Sequence, residues 1–213
     1  MLTVHHLGIS QSDRIVWLCE ELEIPYALVR YDRDPATRLA PANYKALHPF
    51  GAAPVIFDGD LVLGESGAII EYVIAKYGQG RLAVTADQPN FTDYLYWFHF
   101  ANASLMPAAT IDLITARIAE NGATAVRNPA PSRGKRAFEM IEKRLGEAPY
   151  FAGDAFTAAD IIMLFPLTTM RVFSPRDISG FPNLLAYLQR IGQRPAFQRA
   201  MNKADPGLPP KLA

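Results

Sequence analysis

Two serines stand where an extended run would hand over to a helix. Ser10 and Ser12 lie in Gly8-Ile9-Ser10-Gln11-Ser12, between the apolar-rich stretch 2–7 and a helical pattern beginning at Asp13. The free N–H groups at a helix start attract negative charge, and a hydroxyl there can donate a hydrogen bond to an anion bound at that end. No histidine-plus-acid relay is legible beside either serine, so neither reads as a general base by itself. Each also suits the plainer role of helix cap. A second helix start follows at Glu65-Ser66. Ser66 is an ordinary cap, but a glutamate just before it suits a ligand with both a carboxylate and an ammonium group: the carboxylate on the helix N-terminus, the ammonium on the glutamate. Pro54, at the first position of a strand, cannot donate to a sheet ladder. If its peptide bond is cis, the adjacent backbone N–H and C=O turn outward toward a peptide-like ligand.

Other reactive side chains read as structural. Cys19 falls on an apolar helix stripe, which makes it a buried thiol rather than a nucleophile. His5 and His6 lie in a strand and His48 in a loop, each without an i+4 partner. With one cysteine, four histidines and no CxxC or HExxH spacing, no metal site is expected.

The elements that must position these residues alternate over the first eighty positions. Ile15, Leu18, Cys19 and Leu22 make one stripe of a helix over 13–22. A strand over 26–31 follows, then a Pro-, Asp- and Ala-rich loop with a short helix. A hairpin pairs 54–57 with 61–63 about Asp58-Gly59-Asp60, where Asp-Gly suits a type I′ turn. A helix from Ser66 carries Ile69, Ile70, Val73, Ile74 and Tyr77. Beyond residue 90 the pattern is helical only: 91–121 weakened by Pro107, 132–147 with Ser132 as cap, a capping-box sequence Thr157-Ala158-Ala159-Asp160 leading a helix interrupted at Pro166, and shorter helices over 184–191 and 196–201. The expected fold class is α/β plus all-α: domain 1–80, a linker 81–90, and a helical bundle 91–213.

Composition bounds the partners. Of 213 residues, half are hydrophobic and 20% charged, so a packed core is expected and general disorder is excluded. Twenty-one basic residues balance twenty-one acidic ones, which argues against a nucleic-acid partner and polybasic membrane docking. No apolar run is long enough to span a bilayer, and the start lacks signal-peptide features; with a single cysteine, this favours the cytosol.

Together these residues resemble the glutathione transferase superfamily. Ser10-Gln11-Ser12-Asp13-Arg14 is similar to its serine-type turn. His48-Pro49-Phe50-Gly51-Ala52-Ala53-Pro54-Val55 is similar to its cis-proline segment, Glu65-Ser66 to its pair at the γ-glutamyl end of glutathione, and Phe156-Thr157-Ala158-Ala159-Asp160 to its folding motif. Ala103-Ser104-Leu105-Met106-Pro107 is reminiscent of a fungal and bacterial branch. The resemblance implies a thioredoxin-like N-terminal domain, a helical C-terminal domain and a homodimer. It implies a transferase that uses glutathione as co-substrate with no resident cofactor, and conjugates it to a small apolar electrophile in detoxification. Ser10, or Ser12, would donate to the glutathione sulfur and favour thiolate, each unit of thiol pKa lowering being worth about 1.4 kcal/mol. Arg14, His48, Ala53, Pro54, Val55, Glu65 and Ser66 would hold glutathione, with Arg38 and Lys45 as candidates for its glycyl carboxylate. Phe98, Met106 and Phe165 would contribute to the electrophile pocket. Glutathione-dependent peroxide or disulfide reduction, and non-catalytic ligand binding, are the alternatives. Two positions depart from the family: His48 replaces the usual Asn, and Ala52 the usual Gln, Arg or Lys.

Overall fold

The apolar runs pair into a four-stranded sheet in a computed structural model that describes residues 1–120 and 132–213. β1 (Leu2–Leu7) is central. β2 (Ala27–Tyr31) pairs with it in parallel on one side, and β3 (Val55–Asp58) antiparallel on the other; β4 (Leu61–Gly64) completes the order β2-β1-β3-β4. The parallel pair is joined through α1 (Asp13–Leu22), and a one-turn α2 (Ala42–Lys45) precedes the cis Ala53–Pro54 bond at the start of β3. The hairpin turn differs from expectation. Asp58 is still paired with Leu61, the loop is Gly59-Asp60, and only Gly59 has a positive φ, 61°. A type I′ turn needs two such residues; glycine alone at the first position is the requirement of type II′. α3 (Ser66–Lys76) packs on the sheet through Ile69, Ile70, Val73 and Ile74.

The C-terminal half is helical: α4 (Phe91–Phe100), α5 (Met106–Glu120), α6 (Arg133–Glu147), α7 (Ala158–Leu167), α8 (Pro182–Gly192) and α9 (Pro195–Ala204). Asn121, the last residue of the expected 91–121 helix, lies outside the described residues. Pro107 does not break that stretch. A π-helical segment, Ala101–Leu105, joins α4 to α5 just before Pro107; Met106 N–H bonds to Ala101 O five residues back, and this widened turn is where the helix passes the proline. Thr157 and Asp160 form the reciprocal capping box at the start of α7, and the helix ends one residue after Pro166.

One apolar cluster runs through both halves, from Leu2 and Ile56 in the sheet to Leu184 and Phe197 in the bundle. Trp17 is fully buried, its ring 5.3 Å from Phe156 and 5.2 Å from Phe197. Consequently α1 has no exposed face. Every residue of it except Glu21 is buried, including Asp13, Arg14 and Glu20. The single-stripe expectation holds for the side against the sheet; α7 and α9 cover the rest, and around α9 the contacts are largely polar. Glu20 accepts from Tyr26 Oη (2.7 Å), Arg199 Nε (3.0 Å) and Lys203 Nζ (2.5 Å), and Glu21 from both Trp17 Nε1 (2.9 Å) and Arg194. Cys19 is buried as expected, and burial pushes its thiol up to about 12.

Candidate active site

The turn after β1 is held by two side chains. Arg33 donates from Nε to Gly8 O (2.8 Å) and from Nη2 to Ile9 O (3.1 Å), while the Ile9 N–H donates to the Asp205 carboxylate (3.1 Å to Oδ1) just beyond α9. Ile9 itself is left-handed, with φ 51°. This clamp, on a strained β-branched residue, delivers Ser10 to the edge of a cleft of about 560 Å³. Ser12, two residues on, points inward. Its hydroxyl accepts from Leu7 N–H (3.1 Å) and lies 2.9 Å from His6 Nδ1, and it makes no capping bond to α1 although it occupies the cap position. Ser10 Oγ accepts from Ser12 N–H (3.3 Å) and lies 2.7 Å from Ser12 Oγ. The two serines are therefore not equivalent: Ser10 lines the cleft, and Ser12 is sealed behind it.

Arg14 is also sealed. Its guanidinium is fully buried, donates from Nη1 to Gln11 Oε1 (2.8 Å), Asn102 Oδ1 (3.0 Å) and Ser66 Oγ (3.3 Å), and lies over the Phe165 ring at 5.3 Å. It thus joins the serine turn, the start of α3 and the π-helical segment of the other domain. Among the described residues its Nε and Nη2 have no hydrogen-bond partner, and burial lowers its pKa to about 10. Next to it, buried Asp13 accepts from Thr169 Oγ1 (2.5 Å), and desolvation raises its pKa to about 6.

Of the residues expected at the site, Ser10, Arg38, Lys45, Ala53, Met106 and Phe165 line the one cleft. Pro54 and Val55 are buried beside it at the start of β3. Ser66 is buried on Arg14, while Glu65 is exposed ahead of α3 with φ 68°. His48 is half-buried, accepts from Phe50 N–H through Nδ1 (3.2 Å), and packs its imidazole beside Gly64. Phe98 does not reach the cleft: it is 2% exposed in the main core, under Gly67. Met170 and Phe173 stand in the apolar wall instead, beside Met106 and Phe165. Their short helical turn after Pro166 carried no periodic signal. The cleft also carries basic side chains, Arg33, Arg38 and Lys45, with Arg33 lying over the Phe173 ring at 5.4 Å, and no carboxylate is among the lining residues. Arg33, set in an irregular loop, was missed for the same lack of pattern. Among the described residues no group of three or more His, Cys, Asp or Glu side chains could hold a metal ion, and no helix is long and apolar enough to cross a membrane.

A thioredoxin-like sheet docked on a helical bundle, with a serine turn at their shared cleft, defines a two-domain transferase architecture. The profile for the glutathione S-transferase N-terminal domain matches residues 10–76, and that for the C-terminal domain residues 105–195. Glutathione S-transferase 3 of Schizosaccharomyces pombe is 34% identical over 220 residues, covering 96% of this chain and 88% of that protein. Glutathione S-transferase 3 of Zea mays is 31% identical over 197 residues, covering 88% and 87%. A crystal structure of a glutathione S-transferase from Actinobacillus pleuropneumoniae superposes with a TM-score of 0.83 at 32% identity, covering 100% and 95%. The chain belongs to the glutathione transferase superfamily and is a glutathione transferase.

Proposed function

We propose that this enzyme binds glutathione with its sulfur at Ser10, favours the thiolate, and conjugates it to a small apolar electrophile. The observation that carries the reading is the make-up of one cleft: a serine hydroxyl at its edge, three basic side chains without carboxylates, and the apolar side chains of Met106, Phe165, Met170 and Phe173. Glutathione is consumed as co-substrate and no resident cofactor takes part. Lys45 and Arg38 would meet the glycyl carboxylate, the backbone at Ala53–Val55 the cysteinyl peptide, and Glu65 with Ser66 the γ-glutamyl end. A solved theta-class structure from Xanthomonas axonopodis has glutathione bound; at 24% identity it supports the shared fold.

Titrating glutathione and then following conjugation of a generic aryl halide tests this. Binding in the millimolar range or tighter is expected, and none at millimolar glutathione would sink the reading. Ser10→Ala removes one hydrogen bond to a developing anion, a contribution of about 1.5–3 kcal/mol, so kcat/KM should fall about 10- to 100-fold while the fold persists. Hydroperoxide and mixed-disulfide reduction would use the same thiolate, and comparing the three rates on one preparation ranks them.

The second partner is another copy of the chain. Phe50 is 78% exposed, and Tyr96 on α4 with Ile111, Ile114 and Ile118 on α5 present further apolar side chains to solvent. Light scattering should give twice the chain mass, and Ile111→Glu with Ile114→Glu should shift the protein toward monomer.

A further inference from the structure

The Ser10 hydroxyl is the outer end of a buried chain of polar atoms that crosses from one domain to the other. Ser10 Oγ is 2.7 Å from Ser12 Oγ, and Ser12 Oγ is 2.9 Å from His6 Nδ1. On the far side of the ring, His6 Nε2 lies 3.4 Å from Asp205 Oδ1, within ion-pair reach but off the line of a hydrogen bond. His6 and Ser12 are wholly buried and Ser10 is 4% exposed, so no bulk water shares these contacts.

From this geometry we infer that His6 receives the thiol proton through the two serine hydroxyls, and that Asp205 of the helical domain holds the resulting imidazolium. The inference rests on glutathione binding with its sulfur at Ser10. The tautomer follows from the network: a carboxylate facing Nε2 favours a proton there, which leaves Nδ1 as an acceptor. Donors then run inward, Ser10 to Ser12 to Nδ1, and the outward lone pair of Ser10 accepts the thiol S–H. When that proton passes to Ser10 Oγ, the proton Ser10 held passes to Ser12, and the one Ser12 held passes to Nδ1. One S–H and two O–H bonds break; two O–H and one N–H bond form; sulfur gains a negative charge and the ring a positive one. The chain of donors is now reversed, and the Ser10 O–H points at the thiolate it stabilises.

Carboxylates face His6 from two elements. Asp205 faces it from beyond α9, and Asp13 acts on it from the start of α1. Arg30, opposite on β2, is engaged through Nε with Ala204 O (2.7 Å). His6 is thus a positioning and proton-holding residue that never touches substrate.

The test is thiolate formation by bound glutathione, read from its ultraviolet absorbance across pH, with affinity measured by calorimetry. The variants are His6→Asn, which keeps a partner for Ser12 but holds no extra proton, Ser12→Ala, which cuts the chain, and Asp205→Asn, which removes the charge. Each variant that folds and binds glutathione should show at least about tenfold less thiolate at neutral pH, its profile displaced to higher pH. A histidine that merely packed would leave that profile unmoved. Should His6→Asn fail to fold, Ser12→Ala and Asp205→Asn carry the test. Wild-type protein that binds glutathione without forming thiolate overturns both the activation by Ser10 and the relay. Thiolate in the wild type with the same pH profile in the variants overturns the relay alone.

Discussion

Replacing Arg14 by alanine is expected to lower stability by about 3–5 kcal/mol, the range for removing one member of a buried charged network. The guanidinium donates to the buried Ser66 hydroxyl and to the half-buried Gln11 and Asn102 side-chain oxygens from one nitrogen, so its loss breaks all three links at once and leaves a cavity under Phe165. Asp13, buried beside it, also loses the neighbouring positive charge that favours its ionised form. Arg14→Met should cost less. Two guanidinium nitrogens have no hydrogen-bond partner among the described residues, so removing them relieves a desolvation cost, and the methionine fills most of the volume. Urea unfolding of the two variants provides the comparison; equal midpoints for wild type and Arg14→Ala would mean that the network is not held in solution. Because Gln11 adjoins Ser10, glutathione turnover should fall with stability in both variants.

Asp160→Ala should cost a similar amount, about 3–5 kcal/mol, by orphaning donors far from the cleft. Its carboxylate accepts from Phe151 N–H (3.0 Å), Thr157 N–H (2.9 Å) and Tyr187 Oη (3.3 Å), and each buried donor left unpaired costs about 1–3 kcal/mol. Calorimetric melting measures this, and glutathione affinity per folded molecule should be unchanged. The variant also changes pH dependence. Desolvation raises the Asp160 pKa from 3.8 to about 6 against the opposing pull of its hydrogen bonds. A carboxyl raised in the folded state binds more protons there than in the unfolded chain. Its contribution is therefore full below pH 4 and is lost as pH rises toward 6. Asp13, raised to about 6 by the same cause, adds a term of the same sign. Removing Asp160 should flatten the stability curve between pH 4 and 6 by one such term, and an unchanged slope would show that the carboxyl is solvated.

Sequence legibility followed where the physics is local. The strand and helix order, the capping box at Thr157, the buried thiol at Cys19 and the apolar face of α3 depend on neighbours a few residues away, and periodicity and cap chemistry report those directly. The glutathione transferase likeness was readable because its motifs are short and occur in order. The hairpin turn was misread because the pairing of Asp58, one residue, decides which two positions form the loop.

What tertiary structure alone decided is the division of labour inside the serine turn. Ser10 and Ser12 differ by two positions and have the same chemistry, so sequence left them interchangeable; the clamp by Arg33 and Asp205 turns one to the cleft and the other to His6. The same holds for α1, where the sequence showed one apolar stripe and the docked fold also buries Asp13, Arg14 and Glu20. Apolar burial leaves a repeating pattern along the chain, whereas polar burial depends on single partners brought close by domain docking: Asn102 for Arg14, Thr169 for Asp13, Asp205 for His6. Those pairs lie far apart in sequence and share no spacing, so only the docked fold could assemble them.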